Sequence, residues 1–219
     1  MGVIIKTPMR VLVIGAGGHA QVVADILLRM RDAGADVTVV GFLDDDPTLS
    51  GGDILDLPIL GSTSDLLAIS HDAVVVAIGN NSTRKQIFER FRKAGESPAI
   101  AEHPRAVVAP DVRLGEGTMI CAGVVVNTGS VIGADVILNT GCTVDHHNRI
   151  GDHAHIAPGV HMGGEVEVGE GALVGIGATV MPGKRIGAWS VVGAGTLVTR
   201  DVPDGVVVVG APARVVREL

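Results

Sequence analysis

Five histidines, His146, His147, His153, His155 and His161, fall within sixteen residues of this 219-residue chain. Three chemistries compete for them. An imidazole titrates near neutrality, so one could take the proton of an amine or hydroxyl that attacks a thioester. A set of three could ligate a metal, but half a coil of the repeat derived below sets His146 on another face from His153 and His155, and no metal is expected. Otherwise they are polar residues of a loop-rich edge, which is the expectation for His153 and His161. A covalent route through Cys142, four residues before His146, is disfavoured because that cysteine occupies a small core position.

What must position these side chains is a repeat. Every sixth residue from 108 to 198 is aliphatic, sixteen in succession without an insertion, among them Val126, Ile132, Leu138, Val144, Ile150 and Ile156. Gly often follows the aliphatic, as at Gly115, Gly133, Gly151, Gly169 and Gly187, and small residues recur four positions after it, as at Ser130, Cys142, Ala154 and Ala172. The physical reading is a prism of short parallel strands, with one inward aliphatic per face and Gly or small residues where the chain turns tightly. Three hexads close one coil of 18 residues. Gly164 therefore stacks one coil beyond His146 on the same edge, and Ala194 one coil beyond Ile176.

Residues 10–102 follow another rule. A buried-strand run, Arg10-Val11-Leu12-Val13-Ile14, leads through Gly15-Ala16-Gly17-Gly18-His19-Ala20 into a helical pattern over 21–31. A second strand ends at Phe42-Leu43-Asp44-Asp45-Asp46, a Ser/Thr-capped helix is expected near Asp65, and a third strand over 73–78 runs into Gly79-Asn80-Asn81 and a helix from about Ser82. Alternating strands and helices imply a small parallel Rossmann-like sheet with ligands at the carboxyl ends of its strands. Gly15, Gly17 and Ala20 loosely match a dinucleotide fingerprint, but the domain is short for that fold, and a single nucleotide or nucleotide-sugar suits it better. His19 could contact that ligand or cap the helix. Asp44 and Asp45 either accept hydrogen bonds from base or sugar hydroxyls or form a solvated loop.

Composition bounds the partners. The net charge of -7 argues against nucleic acid and anionic membrane surfaces. With 47% apolar residues but only 2% aromatic and no Tyr, the core must be built from small branched side chains. Cys121 and Cys142 lack metal-ligand spacing and read as small core fillers. Residues 1–10 lack the pattern of a signal peptide and no segment reaches the length of a spanning helix, so a cytoplasmic protein without membrane insertion is expected.

The hexads resemble those of the hexapeptide acyltransferases, whose prism is a left-handed parallel β-helix, and Val209-Gly210-Ala211-Pro212-Ala213-Arg214 is similar to the segment that often closes it. Gly-Ala-Gly-Gly-His near the start, Leu43-Asp44-Asp45, Ile78-Gly79-Asn80-Asn81, Val144-Asp145-His146, Ile150-Gly151 and His155-Ile156 resemble, in order, the bacterial sugar O/N-acetyltransferases of the sialic-acid O-acetyltransferase type. Within them the pattern is most similar to enzymes that N-acetylate nucleotide-linked 4-amino-4,6-dideoxy sugars, such as UDP-4-amino sugars or GDP-perosamine. The resemblance covers about residues 10–214. It implies an α/β nucleotide-sugar-binding domain over 1–102, a left-handed β-helix acyl-CoA domain over 103–219, and a homotrimer. It further implies His146 as general base, His155 near the acetyl thioester, and the Gly164 amide as an oxyanion donor. Ile176 and Ala194 match acetyl-CoA contacts, and Gly17, Gly18, His19, Asp44, Asp45 and Gly79 match nucleotide-sugar contacts.

One departure stands in the catalytic motif. The family commonly places Asp or Glu directly after the catalytic histidine; this chain has His147. A carboxylate would orient the base and raise its basicity, whereas a neutral imidazole does this weakly and a cationic one opposes protonation of the base. The expected activity is direct acetyl transfer from acetyl-CoA to a nucleotide-linked amino sugar, in surface-glycan biosynthesis. Sugar O-acetylation, and a nucleotide-sugar-binding protein with a degenerate site, are the alternatives.

Overall fold

The structure, a computed structural model, describes residues 8–219, so the first seven residues considered in the reading of the leader lie outside it. Strand β1 (Met9–Ile14) is an interior strand, apolar on both faces: Val11 and Val13 pack with helix α1 (Gly18–Asp32), while Leu12 and Ile14 pack with Phe88 and Phe91 of helix α2 (Asn81–Lys93). β1 pairs in parallel with β2 (Val37–Leu43) and with β5 (Ala73–Val76). β2 in turn pairs in parallel with β4 (Leu57–Gly61).

The sheet is not wholly parallel. The short edge strand β3 (Asp53–Ile54) runs antiparallel to β4 through a tight turn in which Leu55 and Asp56 take φ of 52° and 60°, giving the order β3-β4-β2-β1-β5. The helix expected near Asp65 is a 3-10 segment, Thr63–Ala68, closed at its start by the Ser62 amide donating to the Asp65 carboxylate at 2.8 Å. α2 begins at Asn81, slightly earlier than the sequence suggested, because the Asn80 side chain accepts the Thr83 amide at 2.9 Å.

From residue 101 the chain winds into a three-sided prism whose rungs are two-residue strands in parallel register every 18 residues, as in Val126↔Val144 and Ile132↔Ile150. One face has five rungs beginning at Arg113–Leu114. Another has six, beginning at Val107–Val108. The third has eight strands, beginning at Ala101–Glu102 and ending with Val206–Val209 and the antiparallel Arg214–Glu218. Of the sixteen periodic aliphatics, all from Ile120 to Val198 are buried, and only Val108 and Leu114 at the open end are half-buried. Cys121 and Cys142 are fully buried, and that burial pushes their thiols up to about 11 and about 12.

The glycines serve two needs rather than one. Positive φ recurs every sixth residue from 117 to 195, three after each aliphatic, and these positions make the turns; Gly fills most of them, but Asp135, His147, His153, Glu165 and Trp189 also adopt it. The glycines directly after the aliphatic have no such φ and instead let successive coils touch. A Cβ on Gly151 would lie 2.7 Å from the Glu170 amide nitrogen and 2.9 Å from the Gly169 carbonyl carbon.

The small domain docks on the eight-stranded face. Met119 and Ile137 point outward from that face yet are completely buried, and they join the core that also holds Val23 and Leu27 of α1. Gly151→Ala should lower the unfolding free energy by about 1–3 kcal/mol through overpacking against the next coil. Denaturant unfolding checks this.

Candidate active site

His146 and His147 occupy the prism edge between the rung Thr143–Val144 and the rung Arg149–Ile150. The turn is pinned from inside. Buried Asn148 donates to the Asp145 carbonyl at 2.6 Å and to the Gly163 carbonyl at 3.0 Å, and accepts the Val166 amide at 3.0 Å. Asp145 accepts the His146 backbone amide at 2.8 Å and the Asn127 side chain at 2.9 Å, so its bonds go to the turn rather than to an imidazole.

Both imidazoles are exposed, with their Nδ1 atoms 3.1 Å apart and their planes at 76°. Each ring covers a glycine of a neighbouring coil. A Cβ on Gly164 would fall 2.5 Å from His146 Nε2, and one on Gly129 would fall 2.8 Å from His147 Nε2. Gly164 thus makes room for the base, and its amide donates to no protein acceptor among the described residues. An exposed imidazole beside a free amide can remove a proton and stabilise an oxyanion.

A second group lies at the carboxyl ends of β1, β2 and β5. Gly17, Gly18 and Gly79 have space around them: a Cβ at any of the three would meet nothing within 4 Å among the described residues, so no contact there requires glycine. Gly15 differs, with φ of 101° and Ile78 pressed against it. Asp44 accepts the Ala16 amide at 2.7 Å and the Asp46 amide at 2.9 Å, which fixes the glycine turn to β2. Asp45 accepts the Thr63 amide and hydroxyl at 2.8 and 3.0 Å. Both carboxylates line a cavity of about 210 Å³ with Gly15, Thr63 and Ile78.

His19 does not cap α1, whose N-cap Gly17 has no side chain to offer. Its ring instead lies 6.4 Å from that of His155, and its buried Nε2 has no hydrogen-bond partner among the described residues. His155 projects from the eight-stranded face, between Asn139 and Gly79. The Asn139 oxygen accepts the Thr140 amide at 2.8 Å, so its NH2 donates to His155 Nε2 at 3.1 Å and leaves the proton of the neutral ring on Nδ1, toward the Gly79 carbonyl.

His153 is not the surface residue that the sequence suggested. It is 5% exposed, and its Nδ1 lies 2.8 Å from Asp135 Oδ2, which also takes Nε of the fully buried Arg84 at 3.0 Å. The same guanidinium donates to the carbonyls of Ile78 and His153 and to Asn81 Oδ1, tying the rim of the crevice to two coils. His161 is exposed, as expected, with Nδ1 2.9 Å from the Thr143 hydroxyl. Arg84, Asn139 and Asn148 escaped the sequence reading, although an arginine in helical phase with Phe88 and Phe91 and an asparagine at an inward small position are both detectable signals.

The expected site residues therefore fall on two edges. His146, His147 and Gly164 share one. His155 and the crevice lie on the eight-stranded face, and exposed Ile176 and Ala194 follow its rungs Leu173–Val174 and Val191–Val192 toward the six-stranded face. One chain does not bring the two groups together.

A prism with a histidine over a free amide, joined to a half-size nucleotide-type sheet, defines a hexapeptide acyltransferase. Residues 10–91 match the PglD N-terminal domain family. The chain is 42% identical to PerB from Caulobacter crescentus, solved with CoA and GDP-perosamine, over 94% of this chain and 96% of that one, with a TM-score of 0.86. It is 36% identical to the acetyltransferase domain of PglB from Neisseria gonorrhoeae FA1090, solved with acetyl coenzyme A, over 95% and 100% of the chains, with a TM-score of 0.89. It is also 38% identical over 114 residues to UDP-N-acetylbacillosamine N-acetyltransferase of Bacillus subtilis (strain 168), a match spanning about half (51%) of each protein. The chain belongs to the nucleotide-amino-sugar N-acetyltransferase family, and its prism is the left-handed parallel β-helix of that family.

Burial first, then the Arg84 charge, lowers His155 to about 3 and His19 to about 4, so both rings are neutral at physiological pH. A folded-state value below the unfolded 6.5 means that the unfolded chain takes up the proton first. The stability from the neutral rings is present above pH 6.5 and declines as pH falls toward 4. His155→Gln should flatten the decline of melting temperature between pH 6.5 and 4.5 relative to the unsubstituted protein.

Proposed function

We propose that this protein transfers the acetyl group of acetyl-CoA to the 4-amino group of a nucleotide-linked 4-amino-4,6-dideoxy sugar, in surface-glycan biosynthesis. The observation that carries the reading is His146 Nε2 poised over Gly164, whose amide has no hydrogen-bond partner among the described residues. In the reaction the sugar ammonium first gives up one proton to solvent, and His146 takes a second from the amine nitrogen as it attacks the thioester carbon. The C–N bond forms while the Gly164 amide holds the oxyanion. Collapse breaks the C–S bond, and the proton on His146 returns to the departing thiolate.

In this reading the open glycines Gly17, Gly18 and Gly79, with His19, Asp44 and Asp45, hold the nucleotide-sugar. The unpartnered His19 Nε2 supplies a polar contact, and the absent side chains let phosphate approach backbone amides. Residues 1–102 thus serve the nucleotide-sugar and residues 103–219 acetyl-CoA, through His155, Gly164, Ile176 and Ala194. The separation of the two edges supports a homotrimer in which the crevice of one chain faces the His146 edge of its neighbour. No helix among the described residues is long and apolar enough to cross a membrane. A cytoplasmic site of action suits both substrates.

The test is CoA release with GDP- and UDP-linked 4-amino-4,6-dideoxy sugars. His146→Asn should lower kcat by roughly 10²- to 10⁴-fold, and Gly164→Ala by on the order of 10²-fold because its methyl displaces the imidazole. Mixed trimers of His146→Asn and His155→Ala chains should regain activity that neither variant has alone. Absence of release with every amino sugar would overturn the acetyltransferase reading, and release unaffected by His146→Asn would overturn the base.

A further inference from the structure

His147 stands where a carboxylate usually backs the base, and its surroundings show what replaces that charge. At its turn position, four residues 18 apart form one column along the prism edge: Asp111, Gly129, His147 and Glu165. The backbone of His147 takes φ of 58°, a conformation that glycine fills at most equivalent turns and that costs a residue with a side chain about 1–2 kcal/mol. This places the ring on Gly129, with Nδ1 toward His146 and the Nε2 end over the glycine.

Beneath that glycine is Asp111, whose Oδ2 accepts the Gly129 amide at 2.8 Å and the Thr128 hydroxyl at 2.8 Å. Its Oδ1 has no hydrogen bond among the described residues. The Thr128 hydroxyl first, then the Gly129 amide, then its own backbone amide, and least of all the His147 charge, hold the Asp111 carboxyl below its ordinary range, so it is an anion. Two other carboxylates are nearby. Asp145 is committed to the turn amide and Asn127, and Glu165 contributes its backbone amide to the His146 carbonyl.

Resting on the proposed role of His146 as base, we infer that His147 is a positioning residue that relays the orienting function of Asp111 to His146 across one coil. The tautomers follow from the donor and acceptor balance. A base with its lone pair on Nε2 carries its proton on Nδ1, and at 3.1 Å that proton needs a lone pair on His147 Nδ1. His147 then holds its own proton on Nε2, directed toward Asp111. When His146 becomes cationic, His147 Nδ1 accepts from it and Asp111 stabilises the positive charge from one coil away. No proton passes through His147.

The test is a cycle read in kcat, with melting temperature as control. Asp111→Asn should lower kcat about tenfold with KM for both substrates unchanged, as expected for a group that acts only when charge develops on the base. In a His147→Glu background, where a carboxylate contacts the base directly, Asp111→Asn should change nothing further. Glu165→Gln should leave kcat within about twofold. Imidazole 15N NMR of the full chain should show His147 protonated at Nε2, and Asp111→Asn should perturb that signal. An Asp111→Asn variant with full kcat, an equal loss in both backgrounds, a larger loss from Glu165→Gln, or His147 protonated at Nδ1 would each overturn the relay. The NMR arm needs no substrate, so its failure is separable from a failure of the acetyltransferase reading.

Discussion

Backbone hydrogen bonding between coils fixes the prism at 18 residues per turn, and nearly every functional contact inherits that interval. The amide of each rung donates to a carbonyl one coil further on, as Val131 does to Asn148 and Arg149 to Val166. Because the bonds are regular and the inward positions are filled by aliphatics of similar size, a side chain at a turn meets a neighbour set by arithmetic. His146 meets Gly164, His147 meets Gly129, and His153 meets Asp135 through the same offset. The packing that stabilises the fold is thereby also the device that brings the reacting groups into register.

The second constraint is electrostatic and lies at the seam between the domains. Arg84 is a full positive charge with no exposed surface, compensated by Asp135 and by carbonyls from α2's rim and from two coils. Losing one partner from such a cluster leaves an uncompensated buried charge, so the sheet and the prism are held in one orientation. Burial first, and the same charge second, disfavour protons on His19 and His155, which keeps the crevice floor neutral and its imidazoles able to accept hydrogen bonds.

Most of the architecture was legible in the sequence because a period of six over sixteen repeats has few physical solutions, and the pairing of His146 with Gly164 followed directly from the coil length. The glycine-rich turn, the acidic strand end and Gly79 also converge as expected at one sheet edge. What the sequence hid were features with no period. The antiparallel edge strand depends on a two-residue turn at Leu55 and Asp56 that carries no glycine. His153 reads as polar and therefore exposed, and only the arrival of Arg84 from another domain explains its burial. The tautomer of His155 rests on which atom of Asn139 the Thr140 amide engages, a detail beyond any spacing rule. The division of the site between two edges required knowing which face each rung joins.

The inter-coil glycines have an evolutionary consequence. Since Gly115, Gly133, Gly151, Gly169 and Gly187 bring each coil into contact with the next, the prism has no slack in which to absorb an inserted or deleted residue without shifting every later column by one place. A single indel between His146 and Gly164 would separate the proposed base from its amide while leaving both residues in the chain. Length variation in descendants of this sequence is therefore confined to excursions looped out at corners and to the N-terminal domain. New sugar preferences can arise there by insertion, whereas the acyl-transfer edge can diversify only by substitution.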